Sequence, residues 1–507
     1  VAVRELFEAS TVEGLAARVE SNTGGRVELT AMPRPERIPL SLAQQRMWFL
    51  NRLEPESAVN NIPAAVRLTG SLDEAALTAA IEDVVARHEI LRTVYPESAG
   101  TGIQVILPAS ASRTDFAVEN IDEAEVFDRV VSLVTEGFDV TRSTPVRIRL
   151  LRLSATEHVL VVVAFHIAAD GFSMIPLMRD LITAYIARAV GEAPGWAPLD
   201  VQYADYTLWQ RQVLGSPEDP KSLVSVQERY WRGALVDLPD QLALPTDRPR
   251  PATASGRGAS HTFVLDETIT SGIDSVATDT GTTAFMVVHA ALAVLLSRVS
   301  GSADVAVGTP VAGRGEAVLD DVIGMFVNTL VLRTSVVGSA RFVDVLSGVR
   351  EVDLSAFAHA DVPFERVVEV IDPPRTQGVH PLVQVLLTFQ NFAATSFDLP
   401  GLTASSVDFD SAVAKMDLQF TVTEPHEQPD GTRTRTVEIV YATDLFDAET
   451  VARLGGGLVA VLGAVTSDSF VVVGDIDVSG PGERALVAGV NDTGFEVDGS
   501  ATLVSLF

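Results

Sequence analysis

The chain has 507 residues, too many for one ordinary hydrophobic core, so two or three globular units are expected. Its 47% hydrophobic and 21% charged residues make a folding composition, and 67 acidic against 37 basic residues leave a net charge of −30, which disfavours nucleic acid and anionic membrane as partners. With no cysteine, disulfides, thiolate metal sites and a thiol nucleophile are excluded, and any thioester chemistry must use sulfur brought by a partner.

Residues 1–22 carry two short helical patterns, 3–8 and 11–19, the second with Thr11 as N-cap and Glu13 in its first turn. Alone they are too small to hold a core. Nothing at the start has the apolar centre and basic flank of a secretory signal, so a cytoplasmic location is expected, and both ends read as pieces of something longer. Residues 26–39, with three prolines and scattered charge, read as a linker. An amphipathic helix follows in SLAQQRMWFLNRL (41–53), then a strand at 64–68 and a helix over 72–88 capped by Ser71 or Asp73. Strands at 102–107 and 146–153 lead to the stretch 158–179, HVLVVVAFHIAADGFSMIPLMR.

That stretch holds the first candidate site. A β-branched run delivers His166 to the turn Ala168-Ala169-Asp170-Gly171, and a helix over 173–189 leaves it. A strand fixes its last side chain well, and Gly171 lets backbone or substrate approach closely. An isolated histidine there is ordinarily a core residue, so the rest of the chain must decide. Asp170 before glycine reads as ordering the turn or pairing with an arginine rather than as a general acid.

Beyond LPTDRPRPATASGRG (244–258) the alternation restarts. Strands are expected at 261–265, 304–308, 328–334, 382–389, 416–422 and 437–441, with helices at 283–299, 341–359 and 447–464. The apolar helix at 284–299 is short for a bilayer and reads as buried. Two α/β halves of similar outline would leave a cleft or tunnel between them. Among the eight histidines, only His166 has an Asp-Gly turn after its strand, and the chain has no G-x-S-x-G, G-x-x-x-x-G-K-[ST], H-E-x-x-H or G-x-G-x-x-G motif. Phosphoryl transfer, zinc hydrolysis and dinucleotide redox chemistry thus lack their usual handles.

His166-x-x-x-Asp170-Gly171 resembles the HHxxxDG motif of nonribosomal peptide synthetase condensation domains. Other signatures of that family follow in its order: SLAQQRMWFL (41–50), RHEILRT (87–93), YADYTLWQ (203–210), IGMFVNT (323–329), HADVPFE (359–365), RTQGVHPL (375–382) and KMDLQF (415–420). The flanks agree. VRELFEASTVEGLAARV resembles the last helices of a peptidyl carrier domain, and NDTGFEVDGSATLVSLF the linker into an adenylation domain.

The resemblance implies an α/β fold of two chloramphenicol-acetyltransferase-like halves in a V shape with a central tunnel. It divides the chain into carrier helices (1–22), linker (23–38), N-terminal half (39–240), C-terminal half (241–485) and a linker towards an adenylation domain (486–507). It implies acyl transfer from an upstream carrier thioester to the amine of an aminoacyl thioester on a downstream carrier. Each carrier would bring 4'-phosphopantetheine, and the domain itself would bind no cofactor and no metal. His166 is the expected catalytic residue with Gly171 offering its N–H, and Asp170 pairs with an arginine, Arg333 or Arg92. Ser173, Phe165, Asn328 and Arg333 are expected at the substrate.

Phe165 stands where the family has its first histidine. Strand neighbours face opposite ways, so Phe165 should pack away from the tunnel that His166 faces. Two alternatives stay open: a non-catalytic platform that recruits a tailoring enzyme, and an epimerisation domain. Phe165 is the support for the first. The SxAQxR helix, the VNT strand and the adenylation-like tail argue against the second.

Overall fold

The computed structural model describes residues 11–21, 27–110, 114–374, 378–390, 401–407 and 413–494. The helical pattern at 3–8 and most of the tail lie outside the described residues. Local sequence starts most helices. Thr11 Oγ1 accepts the Gly14 N–H (3.1 Å) at the head of α1 (Val12–Ser21), and Ser41 and Gln44 exchange side-chain and backbone bonds at the head of α2 (Leu42–Leu53). Of the two caps considered for α3 (Glu74–Arg87), Asp73 is the one used, its Oδ1 accepting from Ala76 N at 2.9 Å.

After β1 (Ile38–Pro39), β2 (Asn61–Gly70) enters the first large sheet; β3 (Thr93–Val94), β4 (Glu97–Ser98) and β5 (Thr101–Ile106) form a small one with β1. The first large sheet continues with β6 (Asp115–Asn120), β7 (Val146–Arg152) and β8 (Glu157–Phe165), separated by α4 (Val126–Val134). β8 lies between β2 and β7, antiparallel to both, and every residue from His158 to Phe165 is buried. That explains the unbroken run of Val159 to Val163: a strand covered on both faces has no polar face to alternate with. Then come α5 (Met174–Ala189), α6 (Tyr203–Leu214) and α7 (Leu223–Ala234).

The second half begins with β9 (Gly258–Leu265), α8 (Glu267–Thr280), α9 (Ala284–Ser300) and β10 (Asp304–Val311). It continues through β11 (Asn328–Ser335), α10 (Phe342–Phe357), α11 (Phe364–Ile371) and β12 (Val385–Gln390). After β13 (Leu402–Ser406) come β14 (Leu418–Thr423), β15 (His426–Glu427), β16 (Arg433–Ala442), α12 (Ala448–Ser467) and α13 (Pro481–Asn491). Its sheet runs β11-β10-β12-β14-β16, with β9 and β15 both on β16. α12 is long and apolar enough to cross a membrane by length and composition, but Val451, Leu454, Leu458, Val461, Leu462 and Val465 bury one face in the second core.

Among the described residues two segments cross between the halves. β13 pairs antiparallel with β2, Leu402 opposite Gly70 and Ser406 opposite Val66. Leu319, Val322, Ile323, Met325 and Phe326 pack in the first core although they lie in the second half of the chain. A division at residue 240 therefore describes the order of the chain, while in space the second half reaches back to wall and floor the first.

Candidate functional site

The end of β8 is held by backbone bonds on both sides. The Phe165 N–H donates to Pro145 O and the His166 N–H to Asn60 O, each at 2.9 Å, and Gln44 of α2 donates its Nε2–H to Ile167 O (3.0 Å). Phe165 is 1% exposed, with its ring 6.0 Å from that of Phe138 in the first core. It fills the core side of the strand end, where the sequence reading had listed it among the substrate residues.

His166 differs from its neighbours in keeping accessible surface where residues 158–165 and 167–170 are buried. Its Nδ1 is buried without a hydrogen-bond partner. Burial first, with the Lys415 ammonium adding to it, pushes the imidazole down to about 4 against the opposing Asp170 carboxylate. The ring is neutral at physiological pH. Lys415 is itself pushed down to about 8 by burial.

Asp170 is fully buried and its carboxylate is taken up by the protein. Oδ2 accepts the N–H groups of Phe326 (2.8 Å) and Val327 (3.1 Å), and Oδ1 accepts from Ser173 N and Oγ, both at 2.8 Å. The arginine beside it is neither of the two expected but Arg314, whose Nη2 lies 3.5 Å from Oδ1 and 2.9 Å from Ser173 Oγ. Arg314 also donates to Leu319 O and Val322 O and lies 4.3 Å over the Phe326 ring. Arg333 instead grips Asp304 (2.9 and 2.7 Å) on the neighbouring strand, and Arg92 donates to Leu107 O. The reason is the crossing segment: Gly313, at φ +65°, turns it so tightly that a Cβ would sit 1.9 Å from Phe326 O, and this turn carries Arg314 under Asp170.

The remaining expected residues are placed as follows. Gly171 is exposed and a Cβ there would meet nothing within 4 Å, so its backbone faces open space. Ser173 is fully buried; besides Asp170 its Oγ lies 2.8 Å from Gly324 O and accepts the Gly324 N–H (3.1 Å). Asn328 donates to Ala360 O and Val362 O (2.9 Å each) and accepts the Phe364 N–H (2.8 Å). Ser173 and Arg333 thus tie protein to protein, where the sequence reading had them meet substrate, while Asn328 makes such ties and also lines a cavity. Among the described residues no group of His, Asp and Glu side chains is arranged to hold a metal ion.

Two cavities of similar size flank the first turn of α2. One, of about 710 Å³, is walled by Leu42, Arg46 and Phe49 of α2 and by Glu365, Val368 and His380 of the second half. The other, of about 700 Å³, lies between Ala43, Tyr206 and Trp209 on one side and Arg314, Val327 and Asn328 on the other. A smaller space of about 260 Å³ adjoins the first through Val379, His380 and Pro381 and is lined by Lys415.

A family model described as the condensation domain matches residues 35–487. The chain belongs to the condensation-domain family. Two curated relatives are a dimodular nonribosomal peptide synthase of Bacillus subtilis (42% identity over 95% of this chain) and an isonitrile lipopeptide synthase of Mycobacterium tuberculosis (43% over 90%). This chain spans only 20% and 18% of their lengths. A solved structure of the X-domain in complex with OxyB from teicoplanin biosynthesis is also similar, at 36% identity and a TM-score of 0.84 over 90% of this chain and 98% of that one.

In this condensation domain the signatures are largely joints. The Tyr203 hydroxyl of YADYTLWQ lies 2.9 Å from Ser41 Oγ and donates to Met325 O (2.8 Å), joining α2, α6 and the crossing segment. Arg87 and His88 of RHEILRT both reach Asp180 Oδ2 (2.8 and 2.9 Å), fixing α3 to α5. Asp417 of KMDLQF binds Arg250 of the proline-rich stretch through both carboxylate oxygens. Sequence reasoning missed Arg314, which lies beside Asp170 and Ser173.

Proposed function

We propose that this condensation domain forms an amide bond, moving a donor acyl or peptidyl group from one carrier's thioester to the amine of an aminoacyl thioester on another. The carriers, an adjacent adenylation domain and their phosphopantetheine arms belong to this reading. The observation that carries it is His166: a neutral, accessible imidazole in a turn whose one carboxylate already receives five donors. A cavity lies on either side of α2, the second walled in part by Arg314 beside the Asp170 carboxylate.

The chemistry asks little of the protein. The neutral amine attacks the thioester carbonyl and a C–N bond forms; the tetrahedral intermediate expels the pantetheine thiolate, and the proton lost from nitrogen ends on that sulfur. An α-amine has a reference pKa of about 8, so a sizeable fraction of it is neutral near neutral pH. Holding both thioesters together is worth about 7–11 kcal/mol of the barrier. His166 accepts the hydrogen bond of the attacking N–H and passes the proton on, a role worth about 10²–10⁴-fold.

A second reading is a platform without chemistry. The likeness to the teicoplanin X-domain, seen bound to OxyB, and Phe165 in place of a histidine favour it. His166→Ala separates the two with donor and acceptor loaded on carriers. Amide formation by the wild type, with a loss of at least about 10²-fold in the variant, is expected. Undiminished transfer by the variant would remove His166 from the chemistry, and no transfer by the wild type with several matched pairs would favour the platform.

A further inference from the structure

β8 and α5 meet at the His166 turn and diverge from it, and a cavity of about 380 Å³ lies between them at the β13 edge of the first large sheet. Leu160 of β8, Ala64 of β2 and Ala404 of β13 form its floor, and Met174, Met178 and Ile182 of α5 its roof. The strand register explains the floor. Ala64 stands opposite Val162, Val66 opposite both Leu160 and Ser406, and Leu68 opposite both His158 and Ala404, so these positions share one face of the sheet. Arg67 lies on the other face, where it binds Glu123, and so does Phe165, against Phe138. By the same alternation His166, next after Phe165, falls on the face of the cavity.

The cavity begins close to the histidine. Pro63 at its rim stands opposite Val163, three residues before His166, which is about 10 Å along the strand. Met174 in its roof follows Ser173, whose N–H and hydroxyl are held by Asp170 of the same turn. Among the described residues no charged side chain lines the cavity, and the hydroxyl of Tyr185 in its wall already accepts the Asp73 N–H (3.1 Å). Such walls admit an apolar group and disfavour a charged or unpaired polar one. The small side chains of Ala64 and Ala404 keep the space open where larger ones would fill it.

We propose that this cavity is a selectivity pocket for an unbranched apolar chain on the donor, taken up while the donor thioester stands at His166. This rests on the amide-forming reading above and names the class of donor it favours. The chain is either the thioester's own acyl chain or the side chain of the residue that carries the thioester, and both offer the cavity the same methylenes.

The test follows the methionine methyl groups of the full chain by NMR, with Met174 and Met178 assigned through Met174→Leu and Met178→Leu, as S-acetyl-, S-hexanoyl- and S-octanoyl-pantetheine are added. The two resonances should move with the longer probes, and affinity should rise about fourfold per added methylene until the cavity is full. In Ala404→Phe, whose ring takes up the space, S-octanoyl-pantetheine should bind no better than S-acetyl-pantetheine. S-(N-acetylnorleucyl)-pantetheine separates the two sources: binding tighter than the octanoyl probe puts the chain on a donor residue, and weaker binding puts it on the acyl group. Transfer between loaded carriers should show the same order in kcat/KM for the donor. Unmoved Met174 and Met178 resonances, or an affinity independent of chain length, overturn the proposal, and the wild-type titration decides this even where Ala404→Phe does not fold. If the wild type joins no loaded carriers, the amide-forming reading fails, and the methyl shifts still decide whether the cavity takes the chain.

Discussion

Asp170 shows how a carboxylate inside a reactive motif can serve the scaffold. Each oxygen is filled, and the donors come from its own turn and from a segment more than 140 residues away. Asp170→Asn keeps the shape but turns one end of the side chain into a donor, which must face the N–H groups of Phe326 and Val327 or those of Ser173 and Arg314. It also leaves the buried Arg314 without its counter-charge. Breaking such a pair costs about 3–5 kcal/mol, so the urea midpoint of Asp170→Asn should fall well below that of the wild type. His166→Ala should leave that midpoint nearly unchanged, because the His166 ring has no buried hydrogen bond to lose at Nδ1. Equal midpoints for Asp170→Asn and wild type would return Asp170 to the candidates for chemistry.

At the scale of elements, what was legible in the sequence was what is local. α2 and α3 carry their apolar stripes and caps within a few residues, α9 is capped by Thr283 and apolar on every face, α12 carries an apolar stripe, and β8 reads as a strand because six consecutive buried residues, 159–164, include four β-branched valines. The helix α8 went unread between two turn-rich stretches, α6 mixes polar and aromatic residues without a clean apolar stripe, and α7 puts Gln227 and Glu228 on its buried face. β13 was not legible either, since five residues, LTASS, become a strand only by pairing with β2 some 330 positions earlier. Within the site the same split holds: His166 and Asp170 stand together in a motif, whereas Arg314 joins them through the crossing segment. That segment depends on Gly313. Gly313→Ala must take up a positive φ and push Phe326 O away, which withdraws the backbone donors from Asp170. Amide formation and the unfolding midpoint should fall together in this variant, although Gly313 lies on the wall of the 700 Å³ cavity and not in the His166 turn. A loss of activity at full stability would instead give the segment a direct part in the reaction.

For the whole molecule, acid is the condition that should separate folded from unfolded. His166 and His380 are both pushed down to about 4 by burial, and His88 is lowered for the same reason. Between the ordinary histidine value of about 6.5 and about 4, the unfolded chain takes up protons that the folded chain refuses, so stability falls as the pH falls through that window. Each fully withheld proton is worth on the order of 3 kcal/mol at most. The net charge of −30 works the other way, because neutralising carboxylates relieves self-repulsion, but salt screens that effect and leaves the buried rings untouched. His380 isolates the histidine contribution. It stacks on Phe364 at 5.5 Å with Nδ1 3.1 Å from both Pro381 O and Val383 O, and Arg46, which lines the same 710 Å³ cavity, contributes to the lowering after burial. Glutamine there keeps a polar side chain that does not titrate. In moderate salt the urea midpoint of the wild type should drop between pH 7 and about pH 5, and that of His380→Gln should drop by less over the same interval. If the two slopes coincide, His380 is free to protonate in the folded protein, and the wall it forms between the two halves is wetter than its burial indicates.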